Sequence, residues 1–316
     1  MNQGWIYRER VASIDAGQTV LDYYSNKYKH STRTEWQERI AAGWVLLNGQ
    51  PVSKTTIVRH LDRLAYHRLP WVEPKVPLKF EVVYEDRELL VINKPSGLPV
   101  LPGGGFLEHT LLSQLKKHYF NRTPVPIHRL GRGTSGLMLL ARSPLAKSHL
   151  TQQLRNSTNR QDKSQISKVY HVLVSGNSIP DRLTITQAIG KIPHPVLGYI
   201  YGATPEGKPA RSECRAIARF LNCTLLEVEI FTGRPHQIRI HLAAVGYPLL
   251  GDPLYVSGGT FAEIASDRRS IPVPGDCGYY LHAYRLSFTH PQTLQQMSFQ
   301  CPIPQRWQTV CNLSSR

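Results

Sequence analysis

The apolar and polar positions divide the chain into two stretches with different periodicity. In the first stretch, AGQTVLDYYSNKY (16–28) sets Val20, Leu21 and Tyr24 on one face at helical spacing. STRTEWQERIAAG (31–43) repeats the pattern. Thr32 and Glu35 have capping-box spacing, Trp36 and Ile40 lie four apart, and Gly43 ends the helix. WVLLNGQPV (44–52) then places Asn48-Gly49 between two apolar runs, which predicts a hairpin. The order helix, helix, hairpin defines a small module over residues 1–75. The proline-rich WVEPKVPLKF (71–80) reads as the linker that follows it.

From Phe80 the period shortens to two. FEVVYED and ELLVINKPSG alternate around a charged turn at 85–88. VYHVLVSG (169–176) and TLLEVEIFTG (224–233) also alternate, with Glu227 and Glu229 facing away from Leu226, Val228 and Ile230. SPLAKSHLTQQLRN (143–156) is helical. The polar stretch 156–167 and the Gly/Pro-punctuated stretch 256–278 read as loops or insertions. Strands and helices mix without a regular βαβ alternation. The expected fold over 76–316 is therefore α+β, built on a mixed, mainly antiparallel sheet.

Composition narrows the function classes. The chain has 316 residues, 41% hydrophobic, which excludes wholesale disorder. No apolar run approaches the ~18 residues of a membrane span. The start, MNQGWIYRERV, lacks a signal-peptide pattern, and the five scattered cysteines form no CxxC, so a reducing, cytoplasmic setting is expected. The 13 histidines show no metal-ligand spacing, so no metal is expected. The net charge of +16 points to a polyanion such as nucleic acid.

Gly131-Arg132-Gly133-Thr134-Ser135-Gly136 matches GxGxxG literally. A dinucleotide site needs a helix opening at the glycines. The LMLLAR that follows reads as a buried strand instead. A tight turn with close backbone approach to a ligand explains the glycines better.

Two resemblances follow from these stretches. AGQTVLDYY…TRTEWQERIAAGWVLLNGQPV resembles the S4-like RNA-binding domain, which would make Arg33, Arg39 and Lys29 its RNA-facing cations. Five further segments resemble the RluA-type RNA pseudouridine synthases in order and spacing. These are LLVINKPSGLPV (89–100), IHRLGRGTSGLMLLAR (127–142), KVYHVLVSG (168–176), TGRPHQIRIHLAAVGYPLLGDPLY (232–255) and LHAYRLSFTHP (281–291). The resemblance implies a protein that flips a uridine out of RNA, cuts its N-glycosidic bond and rejoins the base through C5. It implies no cofactor. Tyr170 and Arg234 match the family's catalytic tyrosine and arginine. Arg129 matches the side chain that fills the gap left by the base, with His128 beside it. Arg132, Thr134, His236 and Arg239 fall in the same motifs and are expected at the RNA. Arg234 stands at a helix start, an unfavourable place for a cation, which suggests an anionic partner.

One position departs from the pattern. The family carries Asp directly after HRL, and this chain has Gly131. Glycine has no side chain to act as nucleophile or base. Three readings remain open. Another acid serves, Asp252 first and Asp86 next. The reaction runs differently on the same fold. Or the protein binds and remodels RNA without catalysis. A carboxylate beside Arg234 would separate them. The implied substrate is ribosomal or transfer RNA, and a monomer is the default.

Overall fold

A computed structural model describes residues 1–156, 166–258 and 271–313. The 156–167 stretch thus lies largely outside the described residues, and 256–278 does so in part. The chain forms two compact units. One is Met1–Glu73 with Pro193–Tyr199, and the other is Pro74–Ile192 with Ile200–Arg316.

In the first unit, β1 (Trp5–Arg10), β2 (Val45–Leu47), β3 (Gln50–Pro51) and β4 (Arg63–Arg68) form an antiparallel sheet in the order β1-β4-β2-β3. Helices α1 (Val20–Lys27) and α2 (Arg33–Ala41) accompany it. Both start where their threonines cap them. Thr19 accepts from the Asp22 N–H, and Thr32 and Glu35 close a full capping box. Trp36, Ile40, Val20, Leu21 and Tyr24 bury together with Val45 and Leu64. The β2–β3 turn is Asn48-Gly49, both with positive φ, as a two-residue hairpin requires. β1 and β4 are additions to the predicted helix-helix-hairpin order.

The second unit begins with β5 (Glu81–Glu85), β6 (Leu89–Lys94), α3 (Leu111–His118), β7 (Val125–Pro126), β8 (Ser135–Ala141) and α4 (Pro144–Asn156). Next come β9 (Ser167–Ser175), β10 (Arg182–Ile185), the paired β11 (Ile189–His194) and β12 (Gly198–Ala203), whose connecting end is counted in the first unit, β13 (Ser212–Arg219) and β14 (Cys223–Ile230). It closes with α5 (Gln237–Ala244), β15 (Leu281–Thr289), β16 (Gln296–Gln300) and α6 (Arg306–Leu313). Ten strands make one sheet along the path β10-β13-β14-β9-β15-β8-β6-β5, with β16 on β15 and β7 on β8. Among the described residues of this sheet, only the β8–β15 pair is parallel. The fold is therefore α+β with a mixed, mainly antiparallel sheet, as expected.

Central strands are covered on both faces. All seven residues of β8 are buried. Leu90, Ile92, Met138, Leu140, Val172 and Val228 form one core with Leu111 and Leu115 of α3 and Leu242 of α5. Leu89, Val91, Leu137 and Leu139 form another with Ala146 and Leu150 of α4. LMLLAR is thus a strand, with no helix opening at the glycines. β9 is buried on both sides except at the half-buried Ser167, His171 and Ser175, so its burial does not follow the alternation of its sequence.

The parallel pair positions the site. His282 and Ala283 of β15 lie beside Ser135 and Gly136 of β8, while Ala283 also faces Tyr170 of β9. Parallel strands start at the same end of a sheet. The segments leading into β8 and β15 therefore converge there, next to Tyr170. Gly136 makes this approach possible: its φ is +106°, and a Cβ would sit 2.4 Å from the Ala283 carbonyl oxygen.

Candidate active site

At that end of the sheet lies a cavity of about 600 Å³, large enough for a nucleoside. His128, Arg129, Gly131, Thr134, Lys168, Tyr170, Arg234, His236, Arg239 and Tyr279 are among the residues lining it. The structure thus brings together four of the five sequence segments, Leu281 contributing the last, although they lie far apart along the chain.

The HRLGRG loop is held by the NKPSG turn beneath it. Lys94, fully buried, donates to the carbonyls of Pro95, Leu98 and Arg132. Burial pulls its pKa down to about 7, while three carbonyl oxygens satisfy three N–H donors and hold the ammonium. Ser96 Oγ donates to the Gly133 carbonyl, and the Gly97 N–H donates to that of Arg132. His128 accepts the Leu139 N–H at Nε2, which requires a neutral ring. Burial pushes its pKa down to about 3, with the Lys168 charge adding to the effect. Arg132 donates to the Gly275 carbonyl and does not line the cavity. Arg129 is exposed and lines it.

Tyr170 rises from β9 with Lys168 two residues before it, on the same side of the strand. Burial pushes the Tyr170 phenol above its ordinary value, so it is neutral. Burial also lowers the Lys168 ammonium to about 8. Lys168 was not among the expected site residues. Its place two before Tyr170 in the K-x-Y motif is the signal that marks it.

The GRPHQIR segment forms a turn and then α5. Gln237 pins the turn: its Oε1 accepts from Thr232 Oγ1 and the Arg234 N–H, and its Nε2 donates to the Arg211 carbonyl. His236 caps the helix in a left-handed conformation, φ 55°, with Nδ1 2.8 Å from Tyr255 Oη. Burial lowers its pKa to about 4, with Arg239 adding to the effect. Residues Gln237–Ala243 are all buried, so α5 has no solvated basic face. His241 sits between Ser212 Oγ and the Gln187 carbonyl, each 3.0 Å away.

The two arginines have different environments. Arg234 donates Nε to the Pro209 carbonyl and, among the described residues, meets no carboxylate. The arginine–carboxylate pair is Arg239 with Asp252. Arg239 Nε and Nη2 reach Asp252 Oδ2 and Oδ1 at 2.6 and 2.8 Å, with side-chain exposures of 2% and 0%. Arg239 is therefore an internal residue and not a phosphate contact.

Asp252 Oδ1 also accepts the N–H groups of Leu254 and Tyr255, so it ties the turn after α5 and does not line the cavity. With no exposed oxygen, it is not placed to meet a substrate. Asp86 is likewise occupied, by Tyr84, His290 and the N–H groups of Glu88 and Leu89.

The expected tight turn is present, closed by the Thr134 N–H on the Gly131 carbonyl at 3.1 Å, but it is not what requires the glycines. Neither Gly131 nor Gly133 has positive φ. A Cβ on Gly131 would lie 2.9 Å from Tyr279 Oη, and one on Gly133 would lie 2.8 Å from Tyr279 Cζ. The glycines leave room for the Tyr279 ring, which enters from the segment before β15.

The buried histidines set an acid limit on stability. Burial holds the fully buried His241 at about 4, below its ordinary 6.5. Between those values the unfolded chain binds the proton and the folded chain does not. His241 thus contributes stability above pH 6.5 that is lost as pH falls towards 4. Its share of the slope reaches about 1.4 kcal/mol per pH unit. Denaturant unfolding across that window should show the decline, and His241→Asn should flatten it. An identical slope in the variant contradicts this assignment.

Among the described residues, no group of His, Cys, Asp and Glu is arranged to hold a metal, and no helix is long and apolar enough to cross a membrane.

The fold and the cavity define an α+β protein with a nucleoside-sized site lined by cations and tyrosines. Residues 88–244 match the family model described as RNA pseudouridylate synthase. An uncharacterized RNA pseudouridine synthase of Synechocystis is 49% identical over 285 residues, covering 90% of this chain and 94% of the relative. Ribosomal large subunit pseudouridine synthase D of Neisseria meningitidis serogroup B is 32% identical, covering 88% and 72%. The solved structure of human RNA pseudouridylate synthase domain containing 1 shares the fold, with a TM-score of 0.55, 23% identity and coverage of 74% and 87%. The chain belongs to the RNA pseudouridine synthase family.

Proposed function

We propose that the protein isomerises uridine to pseudouridine in structured RNA, ribosomal or transfer, with the flipped nucleoside in the cavity at the start of β8 and β15. The observation that carries this reading is the convergence of Arg129, Tyr170 and Arg234, from three separate motifs, on one cavity of nucleoside size. A base must leave its stack to reach such a cavity, at a cost of about a few kcal/mol. Tyr170 offers a buried aromatic face for the base. The exposed Arg129 fits the role of filling the gap left in the RNA. Arg234 and the Lys168 amine fit phosphate or base oxygens.

The stretch 1–75, nearly all of it in the first unit, serves as an S4-like RNA-binding domain, and 76–316 as the catalytic domain. On α2, Arg39 stacks over Trp36 at 4.6 Å and donates to Ser31. Arg33 pairs with Asp22 at the surface. Both leave cationic edges suited to a phosphate backbone. The neighbouring Lys29 is exposed. Cys214, Cys223, Cys277 and Cys301 are unbridged, which fits a cytoplasmic setting. The proposed form is a monomer.

The test is a comparison of cellular RNA. Pseudouridine mapped in ribosomal and transfer RNA from cells with and without the gene should differ at one or a few positions. Arg234→Ala should reproduce the loss. Identical maps overturn the reading.

A further inference from the structure

The volume beside Gly131, where a side chain at that position would project, is filled by Tyr279. Its Oη lies 2.9 Å from the Cβ that Gly131 lacks and 3.5 Å from Thr134 Oγ1. The side chain is 3% exposed and lines the cavity. Its position is fixed from several sides. The Arg239 guanidinium carbon lies 4.2 Å from the ring centroid. Arg239 Nη1 also donates to the Pro274 carbonyl, and Arg132 Nε donates to that of Gly275, so two arginines hold the segment that carries the tyrosine. Gly251 and Gly278 let the backbones cross closely behind it, where a Cβ on either would meet the other's carbonyl oxygen within 2.7 Å. Asp252 and Asp86 are engaged elsewhere, and among the described residues this hydroxyl, nearer than Thr134 Oγ1 at 3.4 Å, is the side-chain oxygen closest to where the motif carboxylate would be.

We infer that Tyr279 is a catalytic residue that replaces the carboxylate at position 131, its hydroxyl carrying the proton from C5 to N1 of the flipped uracil. This rests on the pseudouridine synthase reading above. As the N1–C1′ bond breaks, its electron pair stays on the uracil and the phenol proton follows, reaching N1. The phenolate then faces the cationic C1′ of the ribose. The uracil turns, the C5–C6 π pair forms the C5–C1′ bond, and the proton displaced from C5 returns to the phenolate. One proton has moved from C5 to N1, one C–N bond has become one C–C bond, and Tyr279 is regenerated. An ionised carboxylate has no proton for the first step. Burial raises the Tyr279 phenol above its ordinary value, with Arg239 and Thr134 acting in the opposite direction, so it is neutral and able to donate. The adjacent Arg239 cation supports the phenolate that follows.

The experiment uses the full-length protein and RNA extracted from cells lacking the gene, labelled with tritium at uracil C5. Isomerisation releases the label to water. Absence of release by the wild-type protein defeats the synthase reading itself, and the variants are interpreted only where release occurs. Tyr279→Phe keeps the ring that fills the glycine space. It should bind RNA unchanged and release tritium about 10²–10⁴-fold more slowly, the range of a lost general acid–base group. A loss below about 10-fold overturns the assignment. Should Tyr279→Phe fail to fold, 3-fluorotyrosine at position 279 preserves the shape and acidifies the phenol. The alkaline limb of the kcat–pH profile should then move to lower pH, and an unmoved limb overturns the proposal.

Discussion

Arg239→Leu should destabilise the second unit by about 3–5 kcal/mol, because it removes one partner of a buried ion pair and leaves the other charged in the core. Asp252 is fully buried and receives two of its four hydrogen bonds from Arg239. The lost guanidinium also frees the Pro274 carbonyl and uncovers the rings of Tyr255 and Tyr279, 4.8 and 4.2 Å from its central carbon. For a unit of this size, the melting temperature should drop by about 6–20 °C. The double substitution Arg239→Leu with Asp252→Leu should cost less than the single one, since no charge is then stranded. Arg234→Ala is the control. It loses a single bond to the Pro209 carbonyl and should leave stability within about 1 kcal/mol while removing function. Denaturant unfolding of the three variants checks the order. Equal destabilisation by Arg234→Ala and Arg239→Leu would contradict the division of labour between the two arginines.

Gly131→Asp restores the family's own residue and should nonetheless be harmful. The new Cβ meets Tyr279 Oη at 2.9 Å and Thr134 Oγ1 at 3.4 Å. Tyr279 has little freedom to retreat, with its ring against Arg239 and the preceding Gly278 closely approached by Gly251. Overpacking of this kind costs about 1–3 kcal/mol. Tyr279→Ala alone leaves a cavity, and the two changes together let the carboxylate occupy the vacated space. A double-mutant cycle should therefore give a favourable coupling of about 0.5–3 kcal/mol. Additive effects would mean that the two positions do not share one volume.

Much of this site is legible in the sequence, because its motifs are local. Thr32 with Glu35 announces a helix start, and Asn48-Gly49 a hairpin, through bonds made within three or four residues. The apolar run after Gly136 excludes a dinucleotide-binding turn. The K-x-Y and GRPHQIR segments mark the residues that meet in the cavity. What the sequence conceals is long-range. β1 and β4 gain their strand character by pairing with each other, Trp5 opposite Arg68 and Arg10 opposite Arg63. The burial of Arg239 depends on the whole of α5 being enclosed, which its spacing of charges disguises. Tyr279 meets Thr134 across 145 positions of chain, and only the parallel β8–β15 pairing brings them together. A signal for it does exist. Two glycines at 131 and 133, in a turn that needs positive φ at neither, indicate that a bulky group from elsewhere fills their space.

Pseudouridine formation in this cavity is directly measurable. The most direct measurement is the pseudouridine content of a transcript spanning a site found in the cellular comparison, after incubation with the purified protein and no added cofactor. Conversion approaching one residue per transcript is expected with the wild-type protein, and none with Tyr170→Ala or Arg234→Ala. A wild-type protein that binds the transcript and leaves every uridine unchanged would contradict it.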